Sequence, residues 1–379
     1  MNETVINKSL LAPCYSSIDP CEGTTGLTGY ACFYFRIHGY VSLILCCFGV
    51  PTNIANIVIL TRKSMRSQIN FILTGIAVSD VLTMLSYIPF ALHFYIINGL
   101  SRTPEKYSYG WSMFLAIHAC LSITTHTISI WLGVWMSCAR YIYIRSMGIG
   151  RENLSVRMTC CVIILIYALS ICIYIPYFCY NSVVADPCID RDNVTIKQRY
   201  GIKNPRIADD VEATMFEKFN IWIFILLGKW IPCILITVFG GLLLYTLHES
   251  KKRTLSLKGA QTEARLKQHT RTTIMLLAII LMYIFAELPQ SILLLLCLSI
   301  EGFFNKSYML LADTIDILAL INNSANFIMY CAMSKQFRDL LCDYTCSVVR
   351  SKNRNNETRD NRGGYVSVKS AHTVETHHL

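Results

Sequence analysis

The chain has 379 residues, of which 53% are apolar and only 15% charged, with a formal net charge of +10. An average soluble domain carries roughly 25% charged residues, and here the charges are too unevenly spread for a pair of soluble domains. That distribution also argues against reading the positive balance as a surface for nucleic acid.

Seven apolar runs follow one another, at roughly 37–61, 69–97, 111–139, 158–182, 219–247, 272–299 and 308–333. Each is as long as the ~20 residues a helix needs to cross ~30 Å of hydrocarbon. Residues 1–36 precede them as a polar segment without the apolar core of a signal peptide, so run one reads as an uncleaved signal-anchor. Runs one, three and four contain no Asp, Glu, Lys or Arg. Run two holds Asp80, run five Lys229, run six Glu287, and run seven Asp313 and Asp316. The pattern predicts an all-α membrane protein: a seven-transmembrane helix bundle over 37–333. In 334–346, Phe337, Leu340, Leu341 and Tyr344 recur at helical spacing, which predicts a short amphipathic eighth helix on the inner leaflet. Cys342 and Cys346 stand on it where S-palmitoylation would anchor it, or remain plain thiols. Residues 347–379 are polar, basic and aperiodic, and read as a disordered cytoplasmic tail.

Loop charge sets the orientation. The segments after runs one, three and five, with the tail, carry a net +14; the opposite side carries −1 and the runs themselves −3. The basic side is expected in the cytoplasm and residues 1–36 outside. Glycosylation sequons at Asn2, Asn7, Asn193 and Asn305 fall on the expected outside, and the long outer loop from Asn181 to Lys218 reads as a lid. Of 17 cysteines, Cys14, Cys21, Cys32, Cys179 and Cys188 can face an oxidising compartment. Five is odd, so one of them stays free or pairs with a thiol inside a helix.

No metalloprotease, nucleophile-elbow or phosphate-loop pattern is present, and the chain reads as a non-enzyme. The informative residues are the polar ones the membrane makes expensive. Asp80, Ser129, Asn322 and Asn326 form an oxygen-rich cluster suited to a sodium ion, or to a hydrogen-bond network that only fixes packing. Towards the outer half, Asp313 and Asp316 lie within one turn. Glu287 precedes Leu288-Pro289, and His93, His118, Ser122, His126, Trp222, Lys229, Tyr283 and Gln290 add polar and aromatic surface. An acidic, aromatic cavity of this kind suits a ligand with a cation and aromatic groups. The same residues admit internal pairing, for instance of Glu287 with Lys229.

In order along the chain stand Ala55-Asn56-Ile57-Val58, Ala77-Val78-Ser79-Asp80, Ala139-Arg140-Tyr141, Pro232, Glu287-Leu288-Pro289-Gln290, Asn326-Phe327-Ile328-Met329-Tyr330 and Phe337. Over about 300 residues this resembles the class A (rhodopsin-like) G-protein-coupled receptors, with their GNxxV, LAxxD, DRY, CWxP and NPxxY motifs. Thr125-His126 through Trp131-Leu132, Tyr87 through His93, and Asn326 through Arg338 are similar to the invertebrate myosuppressin/FMRFamide-like peptide receptors. The resemblance implies a plasma-membrane receptor for an extracellular amidated peptide ending in Arg-Phe-amide. It implies coupling to a heterotrimeric G protein, often of the inhibitory class, through Arg140, Tyr141, Tyr330 and the basic third inner loop (Lys251 to Arg253, Arg265, Lys267, Arg271), with arrestin as a further partner. The ligand arginine would pair with Asp316, helped by Asp313. Allosteric sodium is the one cofactor-like group implied.

The sequence departs from the family pattern in four places. Leu115 stands where a cysteine tied to the second outer loop is usual, which leaves Cys14, Cys21 or Cys32 as partners for Cys188. Ala139 replaces the acid before Arg140, Glu287 replaces the tryptophan of run six, and Ile166 or Tyr167 stands where run four would carry one. Two alternatives are a chemosensory receptor for a small molecule and a transporter, the latter expected to show paired internal repeats.

Overall fold

The computed structural model describes residues 12–15, 21–145, 155–180, 182–192, 195–202, 219, 222–255 and 260–346. It divides into two compact units, residues 1–329 and 330–379.

In order, the helices are α1 (Gly26–Leu60), α2 (Gln68–Phe90), α3 (Tyr109–Arg145), α4 (Val156–Tyr180), α5 (Ile231–Leu255), α6 (Ala260–Ser299) and α7 (Met309–Met333). π-Helical turns at Ala91–Ile97, Leu226–Trp230 and Phe304–Tyr308 extend α2 and lead into α5 and α7. Among the described residues seven helices are long and apolar enough to cross a membrane. Helix is the form that satisfies every backbone N–H and C=O without water, so apolar runs of this length adopt it. The helices overshoot the apolar runs: α1 begins at Gly26 rather than near 37, and α3 continues to Arg145 rather than 139. Ser67 caps α2 by accepting from the Asn70 N–H at 3.2 Å.

Helix α3 is the hub, packed on α2, α4, α5 and α6, while α1 packs on α2. Outward faces carry exposed apolar side chains such as Ile44, Ile164 and Phe285, the surface lipid requires. Inside, small residues admit close approach. A Cβ on Gly49 would lie 2.3 Å from Met84 Sδ and 3.0 Å from Ser324 Oγ, so α1 can meet α2 and α7 here because the residue is glycine. Polar side chains tie helices through backbone carbonyls. Asn53 Nδ2 donates to Asn323 O (2.9 Å), Trp131 Nε1 to Leu227 O (3.0 Å) and the Tyr167 hydroxyl to Gly75 O (2.7 Å). Tyr167 thus joins α4 to α2.

One end of the bundle carries a β-hairpin. Strands β1 (Val183–Ile189) and β2 (Ile196–Ile202) pair antiparallel, with Val183 opposite Ile202 and Ile189 opposite Ile196. Ala12 to Cys14 run parallel beside β1: Cys14 N–H donates to Ile189 O at 2.8 Å and Ile189 N–H to Ala12 O at 3.0 Å. A disulfide joins Cys14 to Cys188, and a second joins Cys21 to Cys32 at the entry to α1. Cys179 remains a free thiol, which accounts for the odd number. The hairpin is fixed to the start of α3, since Ser112 Oγ donates to Tyr200 O at 2.8 Å and Tyr200 N–H to Tyr107 O at 2.8 Å. Of the expected lid, 203–218 lies outside the described residues.

Between α2 and α3 the chain turns through Gly99 at φ +51°, a left-handed conformation that favours glycine. Its carbonyl accepts from Lys106 Nζ. The Lys106 ammonium is buried over the Phe35 and Tyr107 rings, at 5.6 and 5.5 Å from their centroids. Burial, with Arg102 nearby, lowers its pKa from the ordinary 10.5 to about 8.

In the second unit, residues 335–346 are helical. Ser334 Oγ accepts from the Phe337 N–H at 3.2 Å, and the Phe337 and Tyr330 rings stack at 5.1 Å. Cys342 and Cys346 are exposed free thiols. The tail from 347 lies outside the described residues.

Candidate functional site

A cavity of about 570 Å³, solvent included, lies among α2, α3, α5, α6 and α7. Thr83 and Tyr87 of α2, Ser122 and His126 of α3, Phe224 and Lys229 before α5, Gln290 of α6, and Asp316, Ala319 and Asn323 of α7 line it.

The α7 wall is acidic. Tyr87 donates its hydroxyl to Asp316 Oδ2 at 3.2 Å and is itself 2.9 Å from His38 Nε2. One turn away, Asp313 Oδ1 accepts from the Tyr95 hydroxyl at 2.7 Å. The facing wall is a relay across three helices. The π-helical turn at Leu226–Trp230 presents Lys229, whose Nζ donates to Glu287 Oε2 (3.0 Å) and to Gln290 Oε1 (2.6 Å). Glu287 Oε1 lies 2.6 Å from His126 Nε2. Gln290 Nε2 donates onward to the Tyr308 hydroxyl at 3.3 Å. Glu287 is 1% exposed and sits behind the side chains that line the cavity. Its carboxylate is therefore committed to Lys229 and His126, as the internal-pairing reading expects, and does not line the cavity.

Deeper along α2, Asp80 Oδ1 accepts from Ser129 Oγ at 3.1 Å and Asp80 Oδ2 from Asn326 Nδ2 at 3.3 Å. Ser79 Oγ lies 2.6 Å from Ser129 Oγ, and Thr83 Oγ1 2.6 Å from Thr125 Oγ1. Asn322 is buried one turn before Asn326 on α7. Towards the end of α3, Arg140 donates to Thr273 Oγ1 of α6 from Nε (3.2 Å) and Nη2 (2.6 Å) and lies over the Tyr143 ring. With Ala139 in place of an acid, α6 supplies this oxygen to the arginine. Tyr141 accepts from Arg145 Nη1 at 2.6 Å.

Of the expected ligand residues, Asp316, Ser122, His126 and Gln290 line the cavity together. Three others are used elsewhere. His93 stacks on Trp111 at 3.6 Å with Nε2 3.0 Å from Lys106 O. His118 stacks on Phe90 at 4.4 Å with Nδ1 3.0 Å from Ser86 Oγ. Both imidazoles fasten the α2–α3 side of the bundle. Trp222 is 49% exposed and stands away from the lining. Tyr87, Thr83 and Asn323 were not singled out as lining residues, because tyrosine, threonine and asparagine are common among helix-packing contacts and mark no cavity in a lone sequence. Asn305 lies in the π-helical turn at Phe304–Tyr308; Asn2, Asn7 and Asn193 lie outside the described residues, as do the side chains of Lys251 to Arg253, Arg265, Lys267 and Arg271.

Residues 40–347 match the family model of the serpentine type 7TM GPCR chemoreceptor Srw. The chain belongs to this family of seven-transmembrane G-protein-coupled receptors. The receptor is 31% identical to the G-protein coupled receptor dmsr-1 of Caenorhabditis elegans, over 81% of this chain and 68% of that protein. It is 24% identical to the sex peptide receptor of Drosophila melanogaster, over 80% of this chain and 71% of that one. Squid rhodopsin shares the fold at TM-score 0.62 and 15% identity, covering 86% of this chain and 82% of the rhodopsin chain. Membership makes the receptor a multi-pass membrane protein and a signalling molecule rather than an enzyme, and it overturns the transporter alternative.

Proposed function

We propose that the receptor answers to a short extracellular peptide with a cationic side chain beside an amidated aromatic C-terminus, of the Arg-Phe-amide kind, and signals through a heterotrimeric G protein. The observation that carries this is Asp316. Its carboxylate lines the cavity, Tyr87 donates to it, and among the described residues no Lys or Arg side chain forms an ion pair with it. A ligand guanidinium would complete it, with Asp313 adding negative potential from the next turn. Tyr87 and Phe224 offer faces to an aromatic side chain. The sex peptide receptor, a relative over most of its length, bears the name of a peptide receptor.

In this reading the hairpin end is extracellular, the receptor lies in the plasma membrane, and Asn2, Asn7, Asn193 and Asn305 are open to glycosylation. Arg140, Tyr141 and Tyr330 face the G protein, of the inhibitory class, and later arrestin. Residues 335–346 lie on the inner leaflet with Cys342 and Cys346 acylated. Asp80, Ser129 and Asn326, with Asn322, hold an allosteric sodium ion. Agonist acts by its differential affinity for the two states of the bundle.

The test is the concentration–response of expressed receptor to Arg-Phe-amide peptides. Truncating one partner of a buried charge pair removes about 2–5 kcal/mol, so Asp316→Ala is expected to shift potency by roughly 30-fold or more. An unchanged curve would remove the assignment. The family's chemoreceptor description favours a second reading, a small-molecule cue; silence to every amidated peptide, with a response to small soluble compounds, would select it.

A further inference from the structure

Among the described residues lining the cavity, Lys229 carries the ammonium, and that ammonium is already neutralised. Glu287 accepts from it at 3.0 Å from behind the wall, and Gln290 Oε1 accepts a second of its protons at 2.6 Å. Among the described residues, the charged and titratable side chains lining the space are Asp316, Lys229, His126 and Tyr87, with Asp313 one turn along α7 and Glu287 behind the wall. The Lys229–Glu287 pair at 3.0 Å carries no net charge, while Asp316 leaves the α7 wall negative.

We infer that Glu287 sets the charge selectivity of the cavity: by neutralising Lys229 it denies a ligand carboxylate any cation, so the site takes ligands that are cationic at one end and uncharged, carboxamide-like, at the other. This deepens the peptide reading above and rests on it. A buried anion needs a paired cation of its own. A ligand carboxylate at this wall would share Lys229 with Glu287 and face Asp316 across the cavity. A carboxamide asks for less. Lysine has three N–H donors, and two are used by Glu287 and Gln290, so one remains for a neutral carbonyl oxygen. Glu287 touches no ligand in this arrangement and acts as a positioning residue, through the charge state of the lysine it holds.

Two peptides identical except for a C-terminal carboxamide or free carboxylate, both with arginine before the terminal phenylalanine, provide the test on full-length receptor in cells, read as the ratio of their potencies. Surface expression is measured alongside. Wild type is expected to prefer the amide by at least tenfold. Glu287→Gln keeps the side-chain volume and an acceptor for Lys229 but removes the charge; it should lower the preference at least tenfold by gaining potency for the acid. Glu287→Asp should restore the wild-type ratio. Lys229→Met, which leaves Glu287 uncompensated, should hold or widen the preference, and a narrowed ratio in that variant overturns the inference even where Glu287→Gln fails to reach the surface. An unchanged ratio in surface-expressed Glu287→Gln also overturns it. If wild type answers neither peptide, the peptide reading falls and the inference with it; if wild type answers both equally, only the inference falls.

Discussion

Replacing Glu287 by leucine should destabilise the bundle more than replacing Lys229, and replacing both should be milder than replacing Glu287 alone. The ion pair spans 3.0 Å, with the lysine side chain 4% and the glutamate side chain 1% exposed. Attraction over such a distance is about 5 kcal/mol at an effective dielectric constant of ~20, and breaking a buried pair on one side removes about 3–5 kcal/mol. Glu287→Leu leaves the ammonium with Gln290 Oε1 at 2.6 Å as its side-chain partner, so the full ~3–5 kcal/mol is expected. Lys229→Leu leaves the carboxylate 2.6 Å from His126 Nε2, so a polar neighbour stays beside it. That loss is nearer the ~1.5–3 kcal/mol of one charged hydrogen bond. The double leucine variant buries no charge and is expected within about 2 kcal/mol of wild type. At roughly 2 °C per kcal/mol for a chain of this size, Glu287→Leu should melt about 6–10 °C below wild type. Cys46, Cys233 and Cys297 are buried free thiols, so a thiol-reactive fluorophore in detergent micelles or nanodiscs reports the transition. Additive losses, or a double variant less stable than Glu287→Leu, would refute the coupling.

Lys106 gives a pH dependence of known sign. Burial lowers its pKa to about 8 from 10.5, so between those values the unfolded chain binds more protons than the folded one and stability rises with pH; melting temperatures across that interval should climb in wild type and flatten in Lys106→Met. Asp80→Asn should abolish any dependence of agonist affinity on sodium, read by exchanging sodium for N-methylglucamine in a binding assay; retained dependence would place the ion elsewhere. A non-reduced digest should hold the peptide bearing Cys14 covalently to the one bearing Cys188, and Cys14→Ser should release it; a cross-link of Cys188 to Cys21 or Cys32 would contradict the connectivity seen here.

The fold was legible because hydrocarbon leaves so few options. Apolar runs of twenty or more residues with at most two charges adopt helix in hydrocarbon, and seven of them in sequence admit little besides a bundle. The break at each loop follows from that pattern, whereas the hub position of α3 appears only in the packing. The cavity was only partly legible, because depth can be read from a sequence but rotation cannot. His93, His118 and His126 occupy similar apolar settings, yet His126 alone among them turns to the cavity, while the other two stack on Trp111 and Phe90. Nothing in the residue types distinguishes these outcomes. Glu287 and Lys229 were visible as costly charges, and their pairing was one of two readings; the distance decides it. The partner of Cys188 stayed open for a different reason: four cysteines allow three connectivities, and it took the strand-like run of Ala12 to Cys14 beside β1 to select one.

That connectivity also imposes a schedule on synthesis. Cys21 and Cys32 are 11 residues apart, whereas Cys14 and Cys188 are separated by 174. At the ~5–20 residues per second of translation, Cys14 waits on the order of ten to thirty seconds for its partner, until four membrane spans have been inserted. Closure of the short loop in the meantime removes Cys21 and Cys32 as competitors, so that the thiol left waiting meets Cys188 only when β1 emerges. The clasp across the hairpin end thereby serves as a checkpoint: a chain whose early spans insert out of order never brings the two cysteines to the same side of the membrane.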